Sequence, residues 1–222
     1  EWSSSYTPRD PVHDSYVSAA YILGKLKASE GLAQGMSYWT FSDLFEEPGP
    51  PTAPFQGGFG LMNPQGIRKP AWFAYKYLNR LGASQLKTAD AQSYVTWDDG
   101  VLKALVWDFV QPRQDKSNRP FYTKVFPSRQ DGSVTLDLKH LPPGTYQAAV
   151  YRTGYDANDA YTAYLRMGSP ASLTPDQLRQ LQAATTDQPG TLAVTVGVDG
   201  KASVPLPMRT NDVVLVEIRP RP

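Results

Sequence analysis

The chain has 222 residues, with 22 Lys plus Arg against 21 Asp plus Glu, and a net charge of +1 gives no electrostatic ground for binding nucleic acid or an anionic membrane. It has no Cys and two His, which excludes disulfides, thiolate catalysis, Cys-ligated metal and a His-rich metal centre. No apolar run approaches the length of a membrane span and no signal peptide opens the chain; a start at Glu1-Trp2-Ser3 without Met leads to the expectation of a protein cut, processed or incompletely represented.

In chain order, Asp14 is expected to cap a helix running to about Glu30, with Val17, Ala20, Tyr21 and Gly24 at helical spacing and Gly31 as the stop. Gln34 to Phe41 is an uncharged, aromatic-rich run that predicts a strand buried on both faces, as in a parallel sheet. A long loop from Ser42 to Lys69 follows, holding Glu46-Glu47, Pro48-Gly49-Pro50-Pro51 and the cluster Gly57-Gly58-Phe59-Gly60; ordered loops of that length usually carry function. Pro70 opens a second helix, Ala71 to Leu81, and Gly82 closes it.

Past Gly82 the pattern changes from helical period to period two. Strands are predicted at Ser93–Trp97, Leu102–Phe109, Tyr122–Phe126, Ser133–Leu138, Thr145–Arg152, Tyr161–Arg166, Leu192–Val198, Ala202–Leu206 and Asp212–Ile218. Turn signals stand at Asp99-Gly100, Asp131-Gly132, Pro143-Gly144 and Asp199-Gly200. One helix interrupts them, Pro175 to Ala184, with Thr174 as its cap and Gln177 at the capping-box position. The spacing predicts a β-sandwich over residues 86–222. Residues 1–85 form a helix–strand–helix piece whose parallel-type strand needs a sheet from upstream sequence.

The first third carries a dense set of matches: Glu1-Trp2-Ser3-Ser4-Ser5-Tyr6, Pro11-Val12-His13-Asp14, Ser37-Tyr38-Trp39-Thr40-Phe41-Ser42-Asp43 with Glu46-Glu47, and Gly57-Gly58-Phe59-Gly60-Leu61. In order, spacing and residue type these segments resemble the β-xylosidases of glycoside hydrolase family 39. The resemblance implies an α/β plus all-β chain: the C-terminal end of a (β/α)8 TIM barrel, followed by the β-sandwich. Glu1 would end the seventh barrel strand, Asp14–Glu30 would be the seventh helix, Gln34–Phe41 the eighth strand and Ala71–Leu81 the eighth helix.

The same resemblance implies a retaining, exo-acting mechanism with Glu1 as nucleophile, and an acid/base on an earlier strand that no residue here can supply. It places Trp39 on the floor of the sugar site and gives Glu46 and Glu47 the glycone hydroxyls, which suits carboxylates because they accept from adjacent hydroxyls. The implied partners are a xylooligosaccharide or aryl xyloside and the upstream part of the same enzyme; no cofactor or metal is implied. Rival readings are a glycosidase of the same scaffold acting on an iduronoside, glucoside or arabinoside, and a non-catalytic carbohydrate-binding sandwich. His13 is expected to shape a turn rather than move protons. The Gly57–Gly60 cluster, which lacks the following Lys-Ser/Thr of a phosphate loop, is expected to be a tight turn beside the pocket. Tyr6 and Asp43 are open between lining the site and structural hydrogen bonding.

Overall fold

A computed structural model describes residues 1–44 and 49–221. In chain order the elements are α1 (Val17–Ala28), α2 (Pro70–Asn79), β1 (Ser84–Leu86), β2 (Ser93–Asp98), β3 (Val101–Trp107), α3 (Asn118–Tyr122), β4 (Gln130–Leu138), β5 (Gly144–Thr153), α4 (Ala160–Arg166), α5 (Pro175–Ala183), β6 (Gly190–Val196), β7 (Ala202–Arg209) and β8 (Val213–Pro220). Six strands form one antiparallel sheet in the order β1-β2-β3-β8-β5-β6, and β4 and β7 form a second, two-stranded one.

The chemistry of β8 explains the layering. Its residues alternate across the sheet, as strand geometry requires. Val214, Val216 and Ile218 join Leu206 and Met208 of β7 and Leu138 of β4 in one core between the sheets. Val213 and Leu215 point to the opposite face, where they meet Ala19, Ile22 and Leu23 of α1 and Phe73, Ala74 and Tyr77 of α2. A stretch buried on both faces must be apolar, and the buried residues of β8, Val213 to Ile218, are, with Glu217 as the exception; Arg219 and Pro220 at its end are exposed. Glu217 is bound by Arg80, whose Nε and Nη2 donate to its two carboxylate oxygens at 3.0 and 2.9 Å. Each large apolar side chain buried in these cores contributes about 1.5–3 kcal/mol.

Local sequence explains most element ends. Asp99 (φ 47°) and Gly100 (φ 75°) make the two-residue turn between β2 and β3, the left-handed pair that matches strand twist. Thr174 accepts from Gln177 N while the Gln177 side chain accepts from Thr174 N, the full capping box of α5. Pro205 and Pro207 lie on β7, which is bonded only to β4, so their missing N–H groups interrupt no central ladder. Among the described residues no helix is long and apolar enough to cross a membrane.

Five expectations fail, each for a tertiary reason. Asp14 does not cap α1: Asp10 caps a 3-10 turn at Pro11–His13, and α1 begins at Val17 with no side-chain cap. Gln34–Phe41 is not a strand buried on both faces; it is held by a single parallel bridge, Trp2 to Tyr38, with Gln34, Gly35 and Ser37 exposed, because no second neighbouring strand lies among the described residues. Tyr161–Arg166 is helix α4, started by Asp159, which accepts from Thr162 N, and it buries Tyr161 and Tyr164 at helical spacing. Tyr122–Phe126 is the end of α3 and a loop, in which Tyr122 packs against Val12, Tyr16 and Val17. Asp131-Gly132 lies inside β4, at an irregularity in its register with β7, and is not a turn.

Candidate active site

Two backbone hydrogen bonds set the site. Trp2 N donates to Ser37 O and Trp39 N donates to Trp2 O, both at 3.0 Å, so Glu1 and Trp39 leave adjacent, parallel chain segments side by side. The Trp39–Thr40 peptide is cis. Thr40 N then donates to Phe59 O and Leu61 N to Thr40 O, again at 3.0 Å, which draws the Gly57–Gly60 turn against the same segment. The outcome is an open cleft of about 580 Å3 whose lining includes Glu1, Ser3, Tyr6, Tyr21, Trp39 and Phe59. Aromatic faces beside one carboxylate suit a ligand with an apolar C–H face and polar edges. Among the described lining residues Glu1 is the sole acid.

The rigidity of this wall comes from a buried charge cluster behind it. Lys69 is wholly buried, with Nζ 2.6 Å from Asp14 Oδ1 and 2.7 Å from Asp43 Oδ2, and it donates to Gly58 O at 2.9 Å. Asp14 Oδ2 accepts from Gly57 N at 2.6 Å and Asp43 Oδ1 from Gly60 N at 2.7 Å. One ammonium and two carboxylates therefore grip three peptide groups of the glycine turn, through Gly57 N, Gly58 O and Gly60 N. Burial by itself lowers the pKa of the Lys69 ammonium, but the Asp14 and Asp43 charges outweigh it and hold the pKa above its usual value. The Asp14 carboxyl is pushed up, chiefly by burial, against the opposing pull of Lys69 and with added repulsion from Asp43.

The turn has to be glycine. A Cβ on Gly57, at φ +77°, would stand 2.4 Å from the Asp10 carbonyl carbon, and one on Gly60 would stand 2.3 Å from Asp43 N. His13 completes the brace: its ring nitrogens lie 2.8 Å from Gly57 O and 2.9 Å from Ser5 O, linking the turn to the segment that follows Glu1. Its ring also packs on Phe59, with centroids 4.6 Å apart. Such a residue shapes a turn, as the sequence suggests.

The structure thus brings Glu1 and Trp39 to one cleft, with Tyr6 at its rim, 94% exposed. Asp43 is structural, buried on Lys69. Glu46 and Glu47 lie outside the described residues. Sequence reasoning missed Lys69, which reads only as the residue before a helix-opening proline, and Phe59 and Tyr21 as lining side chains. Lys69 follows Arg68 and precedes Pro70, so no local pattern marks it as buried.

The model of the glycosyl hydrolases family 39 matches residues 1–202. The chain belongs to glycosyl hydrolase family 39. It is 29% identical over 223 residues to a β-xylosidase of Geobacillus stearothermophilus, an alignment covering 98% of this chain and 40% of that protein. Among solved structures it superposes on a family 39 enzyme of Xanthomonas axonopodis pv. citri with a TM-score of 0.94 and 56% identity, over 99% of this chain and 44% of that one. A monomeric β-xylosidase of Caulobacter crescentus CB15 gives a TM-score of 0.94 and 57% identity, over 100% and 45%. This family 39 chain therefore spans less than half the length of each of these three relatives.

Proposed function

We propose that the chain is the C-terminal part of a retaining β-xylosidase that releases xylose from short xylooligosaccharides or aryl xylosides. The observation that carries this reading is the placement of Glu1 beside Trp39 through parallel backbone pairing, with each segment followed by a helix, α1 or α2. That is the arrangement of neighbouring strand ends in a (β/α)8 barrel, where catalytic side chains gather at the C-terminal ends of strands. Residues 1–85 are then the closing part of the barrel and 86–222 the β-sandwich that packs on its last helices. The single bridge at Tyr38 becomes a full strand when upstream strands flank it.

In this reading Glu1 attacks the anomeric carbon while an acid from the upstream part protonates the departing oxygen. The C–O bond to the leaving group breaks as the bond to Glu1 forms, and water then releases the sugar by a second inversion. Retention requires the two carboxyl groups to stand about 5 Å apart. Trp39 supports the C–H face of the xylose, and Glu46 and Glu47 accept from its hydroxyls. No cofactor enters the reaction. Family membership and the names of the relatives favour xylosides over the other sugars processed on such scaffolds and over a non-catalytic binding module.

The test uses the intact enzyme. Glu1→Ala should lower kcat on an aryl β-xyloside by roughly 10³-fold or more, because covalent catalysis is lost. Azide should partly restore turnover and yield the α-xylosyl azide by a single inversion. A β-configured azide would make Glu1 the acid/base and overturn the assignment.

A further inference from the structure

The cleft of Glu1 does not end at Tyr6. Ser5 and Tyr6 also line a second cleft, of about 430 Å3, whose far wall is Gln114, Ser117, Asn118 and Arg119 from the connection between β3 and β4. That connection concentrates charge: Arg113, Lys116, Arg119 and Lys124 stand against the single acid Asp115 between residues 113 and 124, in a chain whose net charge is +1. Such a concentration makes a local positive field at the mouth of a nearly neutral molecule.

The basic segment is fixed against the Glu1 side of the molecule. Asn118 Nδ2 donates to Asp10 Oδ2 at 2.7 Å and Tyr16 OH to Phe126 O at 2.8 Å, while from α4 Tyr161 OH donates to Tyr122 O at 3.1 Å. Asp10, the one acid in the second cleft, has its other oxygen taken by Val12 N. Arg119 is exposed, and among the described residues its guanidinium has no ion-pair or hydrogen-bond partner. A planar guanidinium left open in a groove is suited to a two-point contact with a carboxylate.

We propose that the leaving-group side of the site runs over Tyr6 into this basic groove, where Arg119 binds the carboxylate of a uronic-acid branch on a xylooligosaccharide. The proposal rests on the xylosidase reading above. Glu1 and Trp39 take the sugar that is cleaved off, so the part of the substrate that projects past the exposed rim at Tyr6 is the leaving group. Tyr6 offers that second sugar a ring face, and Arg119 selects the acidic form of it.

The experiment compares, in the intact enzyme, an unbranched xylotriose with one carrying glucuronic acid on the sugar next to the released xylose. Arg119→Gln should reduce the acidic-to-neutral ratio of kcat/KM by about three- to tenfold at low salt, the size of a partly solvated charge-assisted contact. The wild-type ratio should itself fall as salt is raised. Calorimetry on the Glu1→Gln variant should show the same Arg119-dependent preference without turnover. A ratio unchanged by Arg119→Gln, or insensitive to salt, overturns the groove. Wild-type enzyme that cleaves neither substrate, while the preference persists in calorimetry, overturns the xylosidase reading and leaves the groove standing.

Discussion

Lys69→Met tests whether the charge cluster behind the cleft holds the glycine turn. The ammonium has three protons and uses them on Asp14, Asp43 and Gly58 O, so no donor capacity is spare. Methionine fills nearly the same volume but leaves two wholly or almost wholly buried carboxylates and a carbonyl without their cation. Breaking a buried pair by removing one partner costs about 3–5 kcal/mol, a change of roughly 10²- to 10⁴-fold in the folded-to-unfolded ratio. Denaturant unfolding of the intact enzyme would read that loss. The pH dependence supplies an internal control. With the lysine gone, the two carboxyls share a proton more readily, so the deficit against wild type should shrink as pH falls from about 8 towards 5. Adding Asp43→Asn to Lys69→Met should recover part of the loss for the same reason. A deficit below about 1 kcal/mol, or one that does not vary with pH, would refute the view that this cluster is a charge-balanced clasp.

Asp159 is buried, and desolvation pushes its carboxyl up to about 6 against the opposing bonds from Thr162. A folded-state value raised above the ordinary 3.8 gives stability that is present below the ordinary value and lost as pH rises through 6. Asp159→Asn should therefore gain on wild type by up to about 3 kcal/mol between pH 4 and pH 7 in unfolding experiments, and parallel curves would show that Asp159 is not desolvated in this way. Gly57→Ala meets backbone at 2.4 Å in a left-handed conformation, so it should cost more than about 2 kcal/mol and raise KM for an aryl xyloside; a neutral substitution would mean that the turn relaxes freely. Glu46→Gln should lower kcat/KM by about 10- to 100-fold on xylosides. If, as proposed, Glu46 binds a glycone hydroxyl, removing that hydroxyl should cost the wild type more than the variant, whereas additive losses at every deoxy position would take Glu46 out of the site.

The strands legible in the sequence are those whose own residues alternate and whose turns carry their own chemistry, such as β2 and β3 around Asp99-Gly100, or β7 with Val204, Leu206 and Met208 inward. The helix at Pro175 was equally plain, because cap, proline and capping box are all local. The failures share a different cause. Tyr161 and Tyr164 read as strand residues by composition, but Asp159 and the packing of their rings on Phe55 make the segment helical. Gln34–Phe41 reads as a buried strand because its composition anticipates neighbours on both sides. Of the residues that line the cleft, Glu1 and Trp39 are picked out by the family pattern, but Lys69 behind it is not, since its partners Asp14 and Asp43 lie 55 and 26 positions away in the chain and nothing near Lys69 announces them.

The position of β8 has a kinetic consequence. It is the last strand in the sequence, yet it sits inside the large sheet, fourth from the β1 edge and third from the β6 edge, between β3 and β5. Leu102 finds its partner in Ile218, so the β3 edge must wait more than a hundred residues of synthesis for the strand that covers it. Until then β1-β2-β3 and β5-β6 are separate hairpin-like units, each presenting an open edge and an uncovered apolar face. Closing so distant a pairing is slow, because the loop entropy is lost before the contacts form. The interval is the moment at which two nascent copies could exchange β8, or at which an edge could pair with the wrong strand. Substitutions that weaken β8, such as Val216→Thr, should therefore reduce the yield of folded enzyme by more than their effect on the finished molecule's stability would suggest.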